Sequence, residues 1–488
     1  MNYVEDLEKV SRRIFPFYLF VLFWIPIPLG SNRPLAWGGV ALVVFTLLII
    51  YLWNYARAKL RPPELSRNMV VVIGLLMFWL LFQIIQIIPL PIEFANLLSP
   101  AMVEIKTSSS IENLTFVSLS MDPTSSLHEV IKSSMYISMF LLTILLVNSR
   151  DRIRALLLTI VFIGVAQSVW GLMVGFIEQN QVRGMDNPEY ISQITGTFVN
   201  RNHFAAFLNI SIAAIIGLAL GSGIREKRDI HRESYKHYWQ SRILDWRIYL
   251  VPYFTLLVIT LLFTQSRGAI TSFFAMMVVS VFALIVMKMS VKNLYENYKL
   301  LIWLMFLMLL VFIADMLSTR LINLDSDINS RMSIWATSTY IAKEFWLTGV
   351  GSGNFQFIYP VYDNGLIAAR VEHAHNDYLE LFVEQGIIGV SLLTLIVSVC
   401  IRNIIKQIRL SKNLRRNAYS IAALAGIASF IFHSTVDFSY HIPANAVYFF
   451  VFLGLAMLQG TEHANYERRE ATWDEEVFNG SMNESSNR

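Results

Sequence analysis

Twelve runs of mostly apolar residues dominate the chain, at 14–30, 35–53, 69–89, 130–147, 153–177, 203–221, 248–264, 268–287, 300–316, 377–400, 418–435 and 443–459. A helix needs about 20 such residues to cross a bilayer. Within lipid the backbone polar groups must be bonded inside the segment, so the runs read as helices. Only 15% of the residues are charged, against roughly 25% in a soluble domain. The expected fold is therefore an all-α polytopic membrane protein of about 12 transmembrane helices. One domain covers 1–459, and a polar, acid-rich tail, 460–488, is expected to be cytoplasmic and disordered. The first run follows a polar start but carries Pro16, Pro26 and Pro28 and no small-residue cleavage pattern, so it reads as an uncleaved span rather than a signal peptide. Cys400 is the sole cysteine, which rules out an intramolecular disulfide.

Orientation follows from Lys and Arg in the connections. With the N-terminus inside, the inner segments hold 29 of the 39 basic residues, and both termini are cytoplasmic. Three long connections then face outward: 90–129, 178–202 and the largest, 317–376.

Polar residues that interrupt the apolar pattern collect at the outer ends of the spans, where they are costly unless paired or functional. Arg267, in Thr264-Gln265-Ser266-Arg267-Gly268, occupies a short outer turn that needs no charge for topology. It reads either as an anion-binding guanidinium or as an interfacial arginine reaching phospholipid phosphate. Arg331 precedes apolar residues at 334, 335, 341, 342 and 345, a spacing that predicts an amphipathic helix over about 329–346 on the outer membrane surface. Arg331 would then sit at the helix start, where free backbone N–H groups also attract anions; the plainer alternative is a solvated arginine on a polar face. Gly349-Val350-Gly351-Ser352-Gly353-Asn354 lacks the Gly-Lys-Ser/Thr ending of a nucleotide loop and reads as a flexible turn. His373-Ala374-His375-Asn376-Asp377 opens the tenth span. Two histidines at i, i+2 share no helix face and have no further His/Cys cluster near them in sequence, so no metal is expected. A neutral imidazole there suits a general base, or merely caps the helix. Asp437, between the last two spans, either pairs with an arginine or orients a histidine, or is a polar turn residue.

Together these place Arg, His and Asp on the side of the membrane that has no ATP. Synthesis there must draw on an activated substrate, and a lipid pyrophosphate is one whose charge calls for the planar fork of arginine. At these residues the chain resembles the O-antigen ligase/polymerase family, most strongly over about 195–455. The resemblance rests on Arg331…Trp335, on Gly349 to Phe355, and on His373-Ala374-His375-Asn376-Asp377-Tyr378-Leu379…Gly386. His375 and Gly386 fit the family's H-x10-G pattern; Arg331 fits its R-x3-L pattern, with Trp335 in place of the leucine. Thr195 to Phe204 and Gln265-Ser266-Arg267-Gly268 also look like family segments, and Asp437 resembles a polar position late in such chains.

The resemblance implies a membrane glycosyltransferase of GT-C type at the periplasmic face of a bacterial inner membrane. Its donor is an undecaprenyl-pyrophosphate-linked oligosaccharide, its acceptor a glycan or lipid-linked hydroxyl, and no cofactor or metal is involved. Arg267 and Arg331 would bind the pyrophosphate, and His375 would deprotonate or orient the acceptor. Arg201, His373, Asn376 and Asp437 are substrate-binding candidates. Chain-length regulators or flippases are possible partners; nucleic acid is not. Segments such as Asn200-Arg201-Asn202-His203-Phe204 resemble exopolysaccharide-type members, which favours polymerisation of repeat units. The alternatives are ligation to lipid A core or transfer to a secreted protein. A transporter is disfavoured because the spans themselves are nearly free of charge.

Overall fold

The computed structural model describes residues 3–58, 65–109, 114–177, 194–221, 249–287, 325–363, 370–410 and 414–458. Among these are fifteen α-helices: α1 (Tyr3–Trp24), α2 (Pro34–Arg57), α3 (Arg67–Ile87), α4 (Ile92–Leu98), α5 (Pro100–Ser108), α6 (Pro123–Leu146), α7 (Arg150–Ile177), α8 (Arg201–Gly221), α9 (Leu250–Phe263), α10 (Arg267–Val286), α11 (Asp325–Glu344), α12 (Phe355–Tyr362), α13 (Asp377–Leu410), α14 (Leu414–His433) and α15 (Pro443–Leu458). Seven of them, α2, α3, α6, α7, α8, α10 and α13, are long and apolar enough to cross a membrane, and α9, α14 and α15 are shorter apolar helices. The chain is accordingly a multi-pass membrane protein. The expected span at 300–316, the tail and the basic connection 222–248 lie outside the described residues.

Local chemistry fixes several helix starts. Proline opens α2, α5 and α6, where its missing N–H costs nothing. The side chains of Ser66, Asp122 and Ser266 accept N–H groups of the first turns of α3, α6 and α10. The first helix starts at Tyr3 rather than 14 and stops at Trp24, ahead of Pro26 and Pro28; α6 starts at Pro123 rather than 130. In α6, Lys132 is paired with Glu129 at 2.6 Å, which removes its cost in an apolar run.

The main core joins α1–α3, α6–α10 and α13–α15. The innermost of the long helices is α8, packed against α14, which also meets α10. Helices α2 and α3 present Leu42, Ile49, Trp53 and Phe78 outward, as lipid-facing helices do.

A second, smaller core lies at one end of the bundle. It gathers Ile334, Ile341 and Ala342 of α11 and Phe345 just past it with Phe355, Ile358 and Tyr359 of α12, Val371, Ala374 and Val383. Ile334, Ile341 and Ala342 of α11 thus pack on protein, while Met332 and Tyr340 of the same helix stay exposed. The helix also begins six residues before Arg331, so that arginine sits in its second turn, away from the free N–H groups of the helix start. This corrects the reading of Arg331 as the helix start.

The glycine-rich stretch 349–354 is likewise not a flexible turn. Its backbone is bonded to α13 through Val350 N to Val383 O and Gly351 N to Glu384 O, both 2.9 Å, and Met121 N reaches Val350 O at 2.8 Å. The Gln86 amide donates to Thr348 O and Glu384 O, while Asn354 donates to Ser120 and Ser126. The stretch docks where α13 is interrupted at Gly386 (φ 57°, ψ −164°), a backbone region open essentially to glycine alone. A Cβ on Gly386 would also collide with the Leu347 carbonyl, and one on Gly349 with the Glu384 backbone. Gly386→Ala is therefore expected to destabilise the protein by roughly 3–5 kcal/mol, read as a large drop in the melting temperature of the detergent-purified chain. An unchanged melting temperature would mean that α13 runs straight through this position.

Candidate active site at the helix ends

The starts of α8, α10, α13 and α15 and the end of α14 converge on the turn 434–438. Asp377 staples the segment before α13 to that turn. Its N–H bonds Ser434 O and Asp437 O at 2.9 and 3.1 Å, and its carboxylate accepts Ser434 Oγ at 2.7 Å and Tyr440 N at 3.0 Å. Trp335 Nε1 of α11 holds Ala374 O at 2.8 Å from the other side. His375 is thereby pinned in the left-handed region, φ 51°. Such a backbone is uncommon for a residue with a side chain and collects at functional sites.

In this setting His375 Nδ1 lies 3.8 Å from Asp437 Oδ1, with the ring about a third exposed and the carboxylate buried. The other carboxylate oxygen, Asp437 Oδ2, faces His433 Nε2 at 3.2 Å and His203 Nε2 at 3.7 Å. One buried carboxylate thus serves three imidazoles, and only that of His375 is open to a ligand. At 3.8 Å the His375–Asp437 pair is too long for a hydrogen bond, and both atoms lack other partners. Sites of this kind often shorten such a contact only when substrate is bound. Burial by itself opposes ionisation of Asp437, but the imidazoles of His203, His375 and His433 outweigh it and hold the carboxyl well below its usual range.

The arginines border the same turn. Arg331 Nη1 donates to Val436 O at 3.0 Å. Arg267 is exposed at the first position of α10, two residues after Gln265, which like His375 lies in the left-handed region (φ 54°). Its neighbour Gly268 lies so close to the turn that a Cβ would stand 2.6 Å from Val436 Cγ2. Arg201 opens α8, two residues before His203. The Asn376 side chain is occupied as the helix cap of α13, accepting the N–H groups of Tyr378 and Leu379 at 3.0 and 3.1 Å.

Phe438 separates this group from a second one. The His373 ring stacks on it at 4.0 Å, and the His375 and His203 rings meet it edge-on at 5.0 and 4.5 Å. His373 Nδ1 is bonded to Glu380 Oε1 at 2.7 Å, and Glu380 also accepts Ala374 N. His441, in the short 3-10 turn Ser439–His441, lies 3.2 Å from Asp377, 3.3 Å from Glu380 and 3.7 Å from Glu384. The sequence reading had found no partner cluster for the two histidines; the fold supplies one from 60 residues away. Ligand atoms of His373, Glu380 and His441 all lie within 4.8 Å of one another, close enough to hold a metal ion. The 2.7 Å separation of His373 and Glu380, however, is that of a hydrogen-bonded pair.

Burial alone would lower the pKa of His441, but Glu380, Asp377 and Glu384 outweigh it and hold the ring well above its ordinary value. The sign of the pH dependence follows. A raised imidazole pKa contributes stability that is complete below about 6.5 and is lost as pH rises through the folded-state value. The lowered Asp437 contributes above about pH 3.9 and is lost as pH falls through its own folded-state value. His441→Gln, which leaves buried carboxylates without their cation, is expected to cost roughly 3–5 kcal/mol at pH 6. It should also flatten the alkaline decline of the melting temperature. A variant with the wild-type alkaline limb would show that another group sets it.

The segment from α9 into α13, residues 252–394, carries Arg267, Arg331 and His375, and it matches the O-antigen ligase family. This segment is similar to that family over its matched length. No curated protein matches the chain. The match takes in the glycine-rich stretch and the break at Gly386, but it ends before Asp437, His433 and His441 and begins after His203. The O-antigen ligase segment therefore holds both arginines and the exposed imidazole, and the flanking helices α8, α14 and α15 supply the groups beneath them. Of these flanking groups the sequence marks Asp437 as a candidate, but not His203, His433 or His441. Their only signal was that His203, His433 and His441 fall at the ends of apolar runs.

Proposed function

We propose that the protein is a membrane glycosyltransferase that moves an oligosaccharide from a polyprenyl-pyrophosphate carrier to an acceptor hydroxyl. The observation that carries the proposal is the convergence of Arg331, His375 and Asp437 on one turn at the end of the helix bundle. The acceptor oxygen attacks the anomeric carbon from the face opposite the carrier. A new C–O bond forms while the bond to pyrophosphate breaks, so configuration inverts. The proton passes to His375 Nε2, whose lone pair is free if Nδ1–H points to Asp437. The pyrophosphate leaves as an anion, and Arg331 and Arg267 neutralise its growing charge, the role a divalent ion fills in other transferases. The site is assigned to the periplasmic face of a bacterial inner membrane, with both termini inside, on the bias of Lys and Arg in the connections.

Within this chemistry we favour joining of repeat units of an O-antigen or exopolysaccharide over ligation to lipid A core. The test is transfer by the purified full-length protein in nanodiscs, with a defined undecaprenyl-pyrophosphate oligosaccharide and a chelator present. A ladder of products on the carrier supports polymerisation. Transfer only to an added lipid A core acceptor supports ligation. Absence of both, with uptake of a solute in proteoliposomes, would favour the transporter and sink the proposal.

A further inference from the structure

Away from the site, α1 and α2 enclose a cavity of about 480 Å³, within the range of roughly 300–1,000 Å³ usual for ligand pockets. Its walls are apolar, and Phe20, Trp24, Leu35 and Val43 among them are exposed at the surface of the bundle, where lipid chains would lie. Gly39 lines it with open space beside it, since a Cβ there would meet no atom within 4 Å. The one charged group on the wall is Arg33, exposed at the head of α2, and no carboxylate among the described residues pairs with it. An arginine in this short connection also runs against the charge bias that sets the orientation.

The cavity is joined to the active-site end of the bundle. The turn that closes it, Leu29–Ser31, rests on Phe198 and Ile442: a Cβ on Gly30 would lie 2.6 Å from the Phe198 ring and 3.3 Å from Ile442 Cγ2. Thr197 Oγ1 donates to Pro26 O at 2.7 Å. Ile442 follows His441, and Phe198 packs on Phe204, the neighbour of His203.

We infer that this cavity seats the isoprenoid chain of a polyprenyl-phosphate lipid, with Arg33 on its phosphate. The inference rests on the transferase reading and deepens it. Arg33 belongs to a different element from Arg267 and Arg331, so the protein offers two anion sites around one reaction centre. A reaction between two carrier-linked glycans requires such a pair, whereas transfer to a core acceptor requires one polyprenyl site.

The test uses full-length protein in nanodiscs of phosphatidylethanolamine and phosphatidylglycerol, with undecaprenyl phosphate carrying a diazirine in its terminal isoprene unit. After irradiation, adducts should map to the peptides of Phe20, Trp24 and Val43. Unlabelled undecaprenyl phosphate should displace them and added phosphatidylglycerol should not. Arg33→Gln is expected to lower labelling about tenfold, the effect of one charge-assisted contact, and Gly39→Trp should abolish it by filling the cavity. Labelling spread evenly over the lipid faces of α2 and α3, equal displacement by phosphatidylglycerol, or full labelling of Arg33→Gln would each overturn the inference. Glycan transfer by the same preparation is scored separately. Transfer without labelling removes the lipid site and leaves the transferase reading standing; labelling without transfer does the reverse.

Discussion

Asp437→Asn is expected to lower glycan transfer by about 10²–10⁴-fold while leaving the fold intact. The amide has nearly the shape of the carboxylate, so packing against Phe438 and the turn is retained. What changes is the imidazole opposite. In the proposed mechanism the carboxylate keeps the His375 proton on Nδ1 and leaves Nε2 for the acceptor hydroxyl. With an amide NH2 turned toward it, the ring is pushed to the other tautomer and loses its base. His375→Ala should fall to a similar level, and the double variant should be little worse than either single one, because the pair acts as a unit. Additive losses would show that Asp437 works through something other than His375. The neighbouring imidazoles sharpen the test: His433, 3.2 Å from Asp437, holds the carboxylate in place without reaching a ligand. His433→Gln, which keeps a donor, should therefore cost far less than His375→Gln.

Arg331→Ala should lower the rate of transfer by about 10²–10³-fold, the usual loss when one preorganised donor to a developing anion is removed. The effect should fall mainly on kcat, because the charge on the leaving pyrophosphate grows as the glycosidic bond breaks. Arg331→Lys should recover only part of it. The guanidinium donates to Val436 O through Nη1 and still has a second edge for phosphate oxygens, whereas an ammonium on a flexible stem cannot hold both with fixed geometry. If Arg331→Ala raised KM alone, the arginine would be binding ground-state charge only. If transfer were unchanged, the assignment of the leaving-group site to this turn would be wrong. Arg267, exposed and tied to the turn only through Gly268, is expected to show a smaller kcat effect and a larger change in KM.

Two features of the site were legible only as residues with no visible partners. No further His/Cys cluster stands near His373 and His375 in sequence, and the i, i+2 spacing argues against joint action. In the fold they face opposite sides of Phe438, one toward Glu380 and His441, the other toward Asp437. Arg331 was read from the period of an amphipathic helix. The period was right, and Ile334, Ile341 and Ala342 on it pack with α12 and the start of α13. A repeat of 3.6 residues reports that one face is buried and is silent about what buries it. The glycine-rich stretch looked mobile for a related reason. Composition shows the freedom of such a backbone, whereas the partners that remove that freedom, Gln86, Ser120, Ser126 and α13, come from other parts of the chain.

The sequence by itself determined that this chain lives in a membrane as a set of helices, because long apolar runs can satisfy their backbone in lipid in no other way. It also determined which charges stand at the ends of those helices, since charge is excluded from their middles. Which of those charges meet was decided by tertiary structure alone. Helices far apart in the chain pack side by side, and the break at Gly386 and the staple at Asp377 turn one short segment so that a single buried carboxylate faces three imidazoles. No local pattern encodes that meeting, because it depends on the relative placement of whole helices.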